Sequence, residues 1–345
     1  MRGISSLFSF LMHLLTFLLV APAVGHVGAR LGSPPEAPEP PGGGGGGVGA
    51  ARRLGAATAP PLDGEIRYPT LADVDARLTA LAQSHPNLVE RWSAQQKWTL
   101  SSPGQCGGVP CRHYFVAITN RTSAGASWSA QSPSRSERPQ VFFSGNLHGD
   151  EWVGPVTLLT LAELLVAAAE PASASFNPWL SRLVNTRVVV MLVVSNPQGY
   201  FHHAREENGK DPNRDFPFEQ PNCMRTVTAR AINECWRESL FQLAVTFHGG
   251  QHSITYEWGA PSYDPKEPGG VAAVSPDDVA QAALSATMAA AAGPFSSENW
   301  LVGRTNDVVY SVKGGMEDWA YAGAWFLCFD PPPRPLYSPM RIICS

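Results

Sequence analysis

An imidazole and a carboxylate stand three residues apart in Asn146-Leu147-His148-Gly149-Asp150-Glu151-Trp152. His148 and Glu151 at this spacing can supply two of the three protein ligands of a catalytic zinc ion. The pattern alone is weak: the chain has nine histidines, and His203–Glu206 is a second match. Such short matches arise by chance. Context separates the two. His148 follows the apolar run Val141-Phe142-Phe143 and precedes the long apolar segment Val153–Ala169, which read as a strand and a buried helix. The pair therefore lies on a turn beyond the carboxyl end of a strand, where ligands of α/β sheets bind. His248 directly follows the strand-like run Phe241–Phe247 and precedes Gly249-Gly250, at the same level of the sheet. Two close ligands with a third about a hundred residues on suit a three-ligand zinc site with one open position. A hydrogen-bonded histidine near a sheet edge is the plainer alternative for His248.

The elements that must position these residues are legible in part. Thr70 can cap a helix whose apolar residues Leu71, Val74, Leu78 and Leu81 keep helical spacing up to Pro86. Arg112–Thr119 alternates like a strand, and Arg187–Ser195 is apolar enough for a central strand covered on both faces. A second helix is expected over Val227–Leu240, leading into Phe241–Phe247. Ser275-Pro276-Asp277-Asp278 opens an alanine-rich helix that stops at Gly293-Pro294, with cap, first-turn proline and first-turn acids. Strands alternating with helices predict an α/β/α sandwich, with a mixed, mainly parallel central sheet covered by helices on both faces.

Composition bounds the rest. Residues 1–25 hold no acid and an apolar stretch from Leu7 to Val20, followed by small residues suited to a signal peptidase. They read as a signal peptide. Residues 26–64 are rich in Gly and Pro, with six consecutive glycines from Gly42, and read as a disordered linker. One domain is expected over 65–325, followed by a divergent tail over 326–345. The net charge of −4 and the lack of long basic runs argue against nucleic acid as a partner, and no later stretch suggests a stable membrane anchor. The expected location is the secretory route, either outside the cell or in a lysosome-like compartment. Six cysteines then suggest disulfides, with Cys106–Cys111 and Cys223–Cys235 close enough in sequence to pair. Asn120-Arg121-Thr122 is a glycosylation acceptor.

Four motifs, in order, carry a resemblance. They are His148-Gly149-Asp150-Glu151, Asp211-Pro212-Asn213-Arg214-Asp215-Phe216-Pro217, His248-Gly249-Gly250, and Tyr310 with Gly314-Gly315-Met316-Glu317-Asp318-Trp319. Together they look like the ordered signature of the zinc metallocarboxypeptidases, nearest in motifs to the carboxypeptidase N/E branch. The resemblance implies one zinc ion held by His148, Glu151 and His248, and peptide or protein C-termini as substrates. Arg205 resembles the arginine that stabilises the oxyanion, flanked by His203 and Glu206. Asn213 and Arg214 would grip the terminal carboxylate, for which a guanidinium fork is suited. Tyr310 resembles the tyrosine that closes over the bound residue. Glu317 would face the last side chain and favour Lys or Arg. The N/E branch carries an acid eleven residues after its third ligand, where this chain has Gly259, so the acidic determinant would have moved to Glu317.

The resemblance fails after Trp325. The family's catalytic Glu would fall at Pro332, inside Asp330-Pro331-Pro332-Pro333-Arg334-Pro335. Proline cannot donate to a ladder, so this run is not expected to be a central strand. Asp330 is the nearest carboxylate, two residues early, and no general-base Glu is evident. Two readings follow: a zinc carboxypeptidase preferring C-terminal Lys or Arg, or a zinc-retaining pseudopeptidase that binds C-termini without cleaving. A deglutamylase or deacylase on the same fold is disfavoured by the signal peptide and by Glu317, which would repel acidic substrates.

Overall fold

The computed structural model describes residues 68–123, 129–130, 138–293 and 299–323, and the backbone of 340–344. The expected signal peptide, the linker, and the run Asp330–Pro335 lie outside the described residues. Eight strands form one sheet: β1 (Val89–Ser93), β2 (Tyr114–Ile118), β3 (Gln140–Gly145), β4 (Val188–Leu192), β5 (Phe241–Phe247), β6 (Ser253–Tyr256), β7 (Leu301–Arg304) and β8 (Met340–Cys344). Their order is β1-β2-β4-β3-β5-β8-β6-β7. The middle pairs β4–β3, β3–β5 and β5–β8 are parallel, and β6–β7 is parallel at one margin. The pairs β1–β2, β2–β4 and β8–β6 are antiparallel. The sheet is thus mixed with a parallel centre, as the apolar runs predict.

Both faces are covered. Val189 and Met191 of β4 point with Val141 and Phe143 of β3 into one core, filled by α1 (Leu71–Ser84), α2 (Val153–Ala169), α3 (Pro178–Thr186) and α5 (Asp278–Ala292). Val188, Val190 and Leu192 point the other way with Phe142, against Ala229, Ile232 and Trp236 of α4 (Val227–Glu238) and Trp319. A run apolar on both faces is what a central strand requires, since each side chain moved from water into such a core contributes roughly 1.5–3 kcal/mol. Thr70 caps α1 through a reciprocal bond with Asp73. The alanine-rich helix begins at Asp278, so Pro276 precedes its first turn; the Tyr321 hydroxyl donates to the Asp277 carboxylate and accepts from its backbone N–H.

Two cysteine expectations part company. Cys106 and Cys111 are joined. Cys235, however, is a free thiol buried on the inner side of α4, and Cys223 is bonded to a different cysteine. Closeness in sequence misled because α4 carries Cys235 into the core, where burial pushes the thiol up to about 12.

His113 is fully buried at the start of β2. Its backbone N–H donates to the Gln95 carbonyl, which turns the amide NH2 towards Nδ1 at 2.9 Å. Nε2 then donates to the Thr228 hydroxyl at 3.2 Å. Both ring nitrogens are satisfied only in the neutral form. Burial, assisted by the Arg230 charge, pushes this imidazole down to about 3. Between pH 3 and 6.5 the unfolded chain therefore binds a proton that the native state refuses. Stability is complete above pH 6.5 and falls by about 1.4 kcal/mol per unit below it. Urea midpoints measured across this range should show that slope, and His113→Gln should flatten it.

Candidate metal centre and substrate cleft

The first two candidate ligands sit on the turn from β3 into α2, and the third is the residue after β5. These strands are neighbours and parallel, with Gly145 paired to Phe247, so both turns leave the sheet side by side. Two local features fix the first turn. Asn146 adopts a left-handed backbone, φ 59°, and its amide donates to the carbonyls of His148, Gly149 and Glu151. Gly149 lies so close to Gly199 and Ala204 that a Cβ would fall 2.2 Å from backbone carbon. Its N–H donates to the Arg205 carbonyl at 3.1 Å. Only glycine allows that approach, and it ties the ligand turn to the segment that carries Arg205.

The three candidate donors converge. His148 Nδ1 lies 2.7 Å from Glu151 Oε1, and His248 Nδ1 lies 2.9 Å from Glu151 Oε2. The two Nδ1 atoms face one another at 3.2 Å. Donors about 2.1 Å from one tetrahedral ion stand about 3.4 Å apart, so the set is close to what zinc requires. Two imidazole nitrogens and a carboxylate are also the donor chemistry zinc prefers. His148 is 4 % exposed, and its Nε2 meets Asp211 Oδ1 at 3.1 Å. A carboxylate on the far nitrogen holds the ring and its tautomer and leaves Nδ1 for a metal.

The charges are strongly coupled. Burial raises the Glu151 carboxyl, but the charge of His248 and the bonds from both imidazoles outweigh it and bring it down to about 2. Burial acts the same way on Asp211, yet its bond to His148 and the charges of His148, Arg214 and Arg205 hold it well below the usual carboxylate range. Asp211 also accepts from Arg205, with Nη2 at 2.9 Å and Nε at 3.0 Å. One carboxylate therefore orients both a metal-ligand candidate and the oxyanion candidate. Arg205 Nη1 stands 3.6 Å from Glu151, beside the donor set.

These groups open on a cleft of about 280 Å³, lined also by Asn213, Arg214, Tyr310 and Glu317. Asn213 accepts from the Met316 N–H through its side-chain carbonyl, which leaves the amide NH2 for the cleft. Arg214 donates to the Tyr310 hydroxyl at 3.2 Å, and Tyr310 itself is 52 % exposed at the rim. Glu317 is 5 % exposed, and its Oε2 is buried without a hydrogen-bond partner. Burial raises this carboxyl, while a bond from its own backbone N–H and the neighbouring His248 and Arg214 draw it partly back. A Cβ on Gly259 would stand 3.1 Å from Glu317 Oε1, so the missing side chain at 259 is what admits this carboxylate.

The second HxxE pair does not join the cluster. His203 ends the short helix Pro197–His202 and packs its ring against Trp152. Among the described residues, His148, Glu151 and His248 are the one such group that could hold a metal ion. Sequence reasoning gave no role to Asp211 or Asn146. Asp211 stood inside the Asp-Pro-Asn-Arg motif, but only its contact with His148 shows what it does. Replacing Asp211 by Asn should weaken zinc binding by about 10- to 100-fold, as loss of such a supporting carboxylate typically does. Competition with a chromogenic chelator would measure it.

An α/β sandwich with a His-Glu-His donor set at the carboxyl ends of two parallel strands defines a metallohydrolase-like class. The comparisons place the chain within it. The family model described as zinc carboxypeptidase matches residues 113–328, and the chain belongs to that family. Carboxypeptidase D of Mus musculus is 31 % identical over 241 residues, 60 % of this chain and 17 % of that protein. Carboxypeptidase M of Mus musculus is 26 % identical over 294 residues, 77 % of this chain and 58 % of that protein. The chain thus spans only about a sixth of the carboxypeptidase D sequences it matches. In fold it resembles carboxypeptidase A from Helicoverpa armigera, with TM-score 0.56, 19 % identity, 81 % of this chain and 64 % of that structure.

Proposed function

We propose that this chain is a secretory-route zinc carboxypeptidase that hydrolyses the last peptide bond of peptides or proteins and prefers C-terminal Lys or Arg. The observation that carries the preference is Glu317: a buried carboxylate with an unpartnered oxygen, in the same cleft as the donor set and Arg214. A cationic side chain would relieve that oxygen, whereas an acidic one would be repelled.

Zinc held by His148, Glu151 and His248 would polarise the scissile carbonyl and lower the pKa of a bound water. The protein's own residues do the rest. Arg214 and the Asn213 amide take the terminal carboxylate, which fixes which bond is presented. Arg205, oriented by Asp211, supplies preorganised positive charge where the carbonyl oxygen becomes anionic. Tyr310 at the rim covers the bound residue. The acid-free, apolar character of residues 1–25 and the acceptor sequence at Asn120 support the reading as a secreted glycoprotein. Among the described residues no helix is long and apolar enough to cross a membrane.

One observation favours a second reading. β8 occupies the inner sheet position beside β5, with Cys344 paired to Phe247, one residue before His248. The segment Met340-Arg341-Ile342-Ile343-Cys344 contains no carboxylate, and Pro332 stands where the family's catalytic Glu is expected. A chain without that base would bind C-termini and leave them intact. Peptides ending in Arg, Leu or Glu, each with its C-terminal amide, decide between the readings. The carboxypeptidase releases Arg fastest and spares the amide; a binding protein discriminates the amide but releases nothing. Equal handling of acid and amide would refute both.

A further inference from the structure

Arg205, Asp211, Asn213 and Arg214 lie within ten residues of one another, on a segment whose only local order is a bridged turn at Glu207–Lys210 and a short turn at Pro212–Arg214. Its rigidity must come from elsewhere. Beside the bonds of Gly149 to Arg205 and of Met316 to Asn213, two buried carboxylates fasten it, and neither lines the cleft. Glu207, 3 % exposed, accepts from the backbone N–H groups of Val227 and Thr228 at 2.6 and 2.9 Å, and from the Thr228 hydroxyl at 2.7 Å. Asp215, 4 % exposed, accepts from the N–H groups of Arg225 and Thr226 at 3.0 and 2.6 Å, and from the Thr226 hydroxyl at 2.8 Å. Thr226 in turn accepts from Ala229.

Five successive N–H groups at the start of α4 are therefore consumed, four by these two side chains. Amides at a helix N-terminus are otherwise unsatisfied, and anions there are favoured by the helix dipole. Between the two carboxylates the segment also bonds to itself, through Glu207 with Lys210 and Arg214 with Asp211.

We propose that Glu207 and Asp215 are positioning residues, which clamp the Arg205–Arg214 segment onto the first turn of α4 and thereby set the spacing between the oxyanion arginine and the carboxylate grip. The proposal rests on the reading of the cleft as a site for peptide C-termini. It also assigns the two anchors different consequences. Asp215 adjoins Arg214 and should govern carboxylate binding; Glu207 is two residues from Arg205 and should govern the chemical step.

The test uses the zinc-loaded full chain with Asp215→Asn and Glu207→Gln. Each variant keeps shape and one acceptor oxygen but turns an NH2 group towards an N–H or hydroxyl. Calorimetry with a lysine-terminated peptide and its C-terminal amide reads the carboxylate grip, steady-state kinetics separate kcat from KM, and amide hydrogen exchange reads the segment itself. With Asp215→Asn, preference for the free carboxylate should fall about tenfold and KM should rise, with kcat nearly kept; with Glu207→Gln, kcat should fall about tenfold with KM nearly kept. Exchange over residues 208–214 should quicken about tenfold in both, with β3 and β5 unchanged. Thr226→Ser, which keeps the hydroxyl, should behave as the parent, and Thr226→Ala should follow Asp215→Asn if that variant fails to fold. Unchanged exchange together with unchanged carboxylate preference would overturn the proposal. If the parent itself ignores the difference between acid and amide, the C-terminal reading fails, and the exchange result alone decides whether the two carboxylates position the segment.

Discussion

Replacing His248 by Ala is expected to leave the purified chain without bound zinc and to lower turnover by about a thousandfold or more. His148 and Glu151 would remain, but they are held by one turn, and two donors fall short of the three protein ligands a catalytic zinc needs. The ion is being asked to supply several kcal/mol of charge stabilisation in the transition state, and each 1.36 kcal/mol is tenfold in rate. The fold should survive, because His248 lies at the end of β5 rather than within a core. Metal content after gel filtration, measured beside kcat on the same sample, would check it. A variant that keeps one zinc per chain would show that the ion is held elsewhere.

The second large effect is expected at Glu317. Glu317→Gln keeps the shape of the pocket and removes its charge. At a separation near 4 Å and an effective dielectric near 20, a carboxylate–ammonium pair contributes about 4 kcal/mol before desolvation, so a loss on the order of 100-fold in kcat/KM for C-terminal Lys is reasonable. C-terminal Leu should change little or improve. Because the buried Oε2 has no partner in the free chain, the substitution should not reduce stability. An unchanged ratio of Lys to Leu would show that Glu317 does not face the last side chain.

Much of the fold was readable because its segments are consistent within themselves. Val153–Ala169 and Phe241–Phe247 match their elements to the residue, since each is a largely apolar run that stops at a polar residue, Glu170 or His248. The strand Met340–Cys344 was not expected. It is short, follows a proline run, and is defined by pairing with β5, almost a hundred residues back in the chain. The donor set was legible through motif order, and the structure brings its three members together. What escaped the sequence was what only tertiary packing creates: the contact of Asp211 with both His148 and Arg205, and the free thiol of Cys235 on the inner side of α4.

The central claim is that a zinc ion in the His148–Glu151–His248 set cleaves a C-terminal peptide bond. Its most direct test is a mass-spectrometric time course on a peptide ending in Lys, with the zinc-loaded chain, after chelation, and after zinc is restored. The account predicts release of one C-terminal lysine, lost on chelation and regained with zinc. An intact peptide, in the presence of bound zinc and carboxylate-dependent binding, would contradict it and establish a chain that holds C-termini without cutting them.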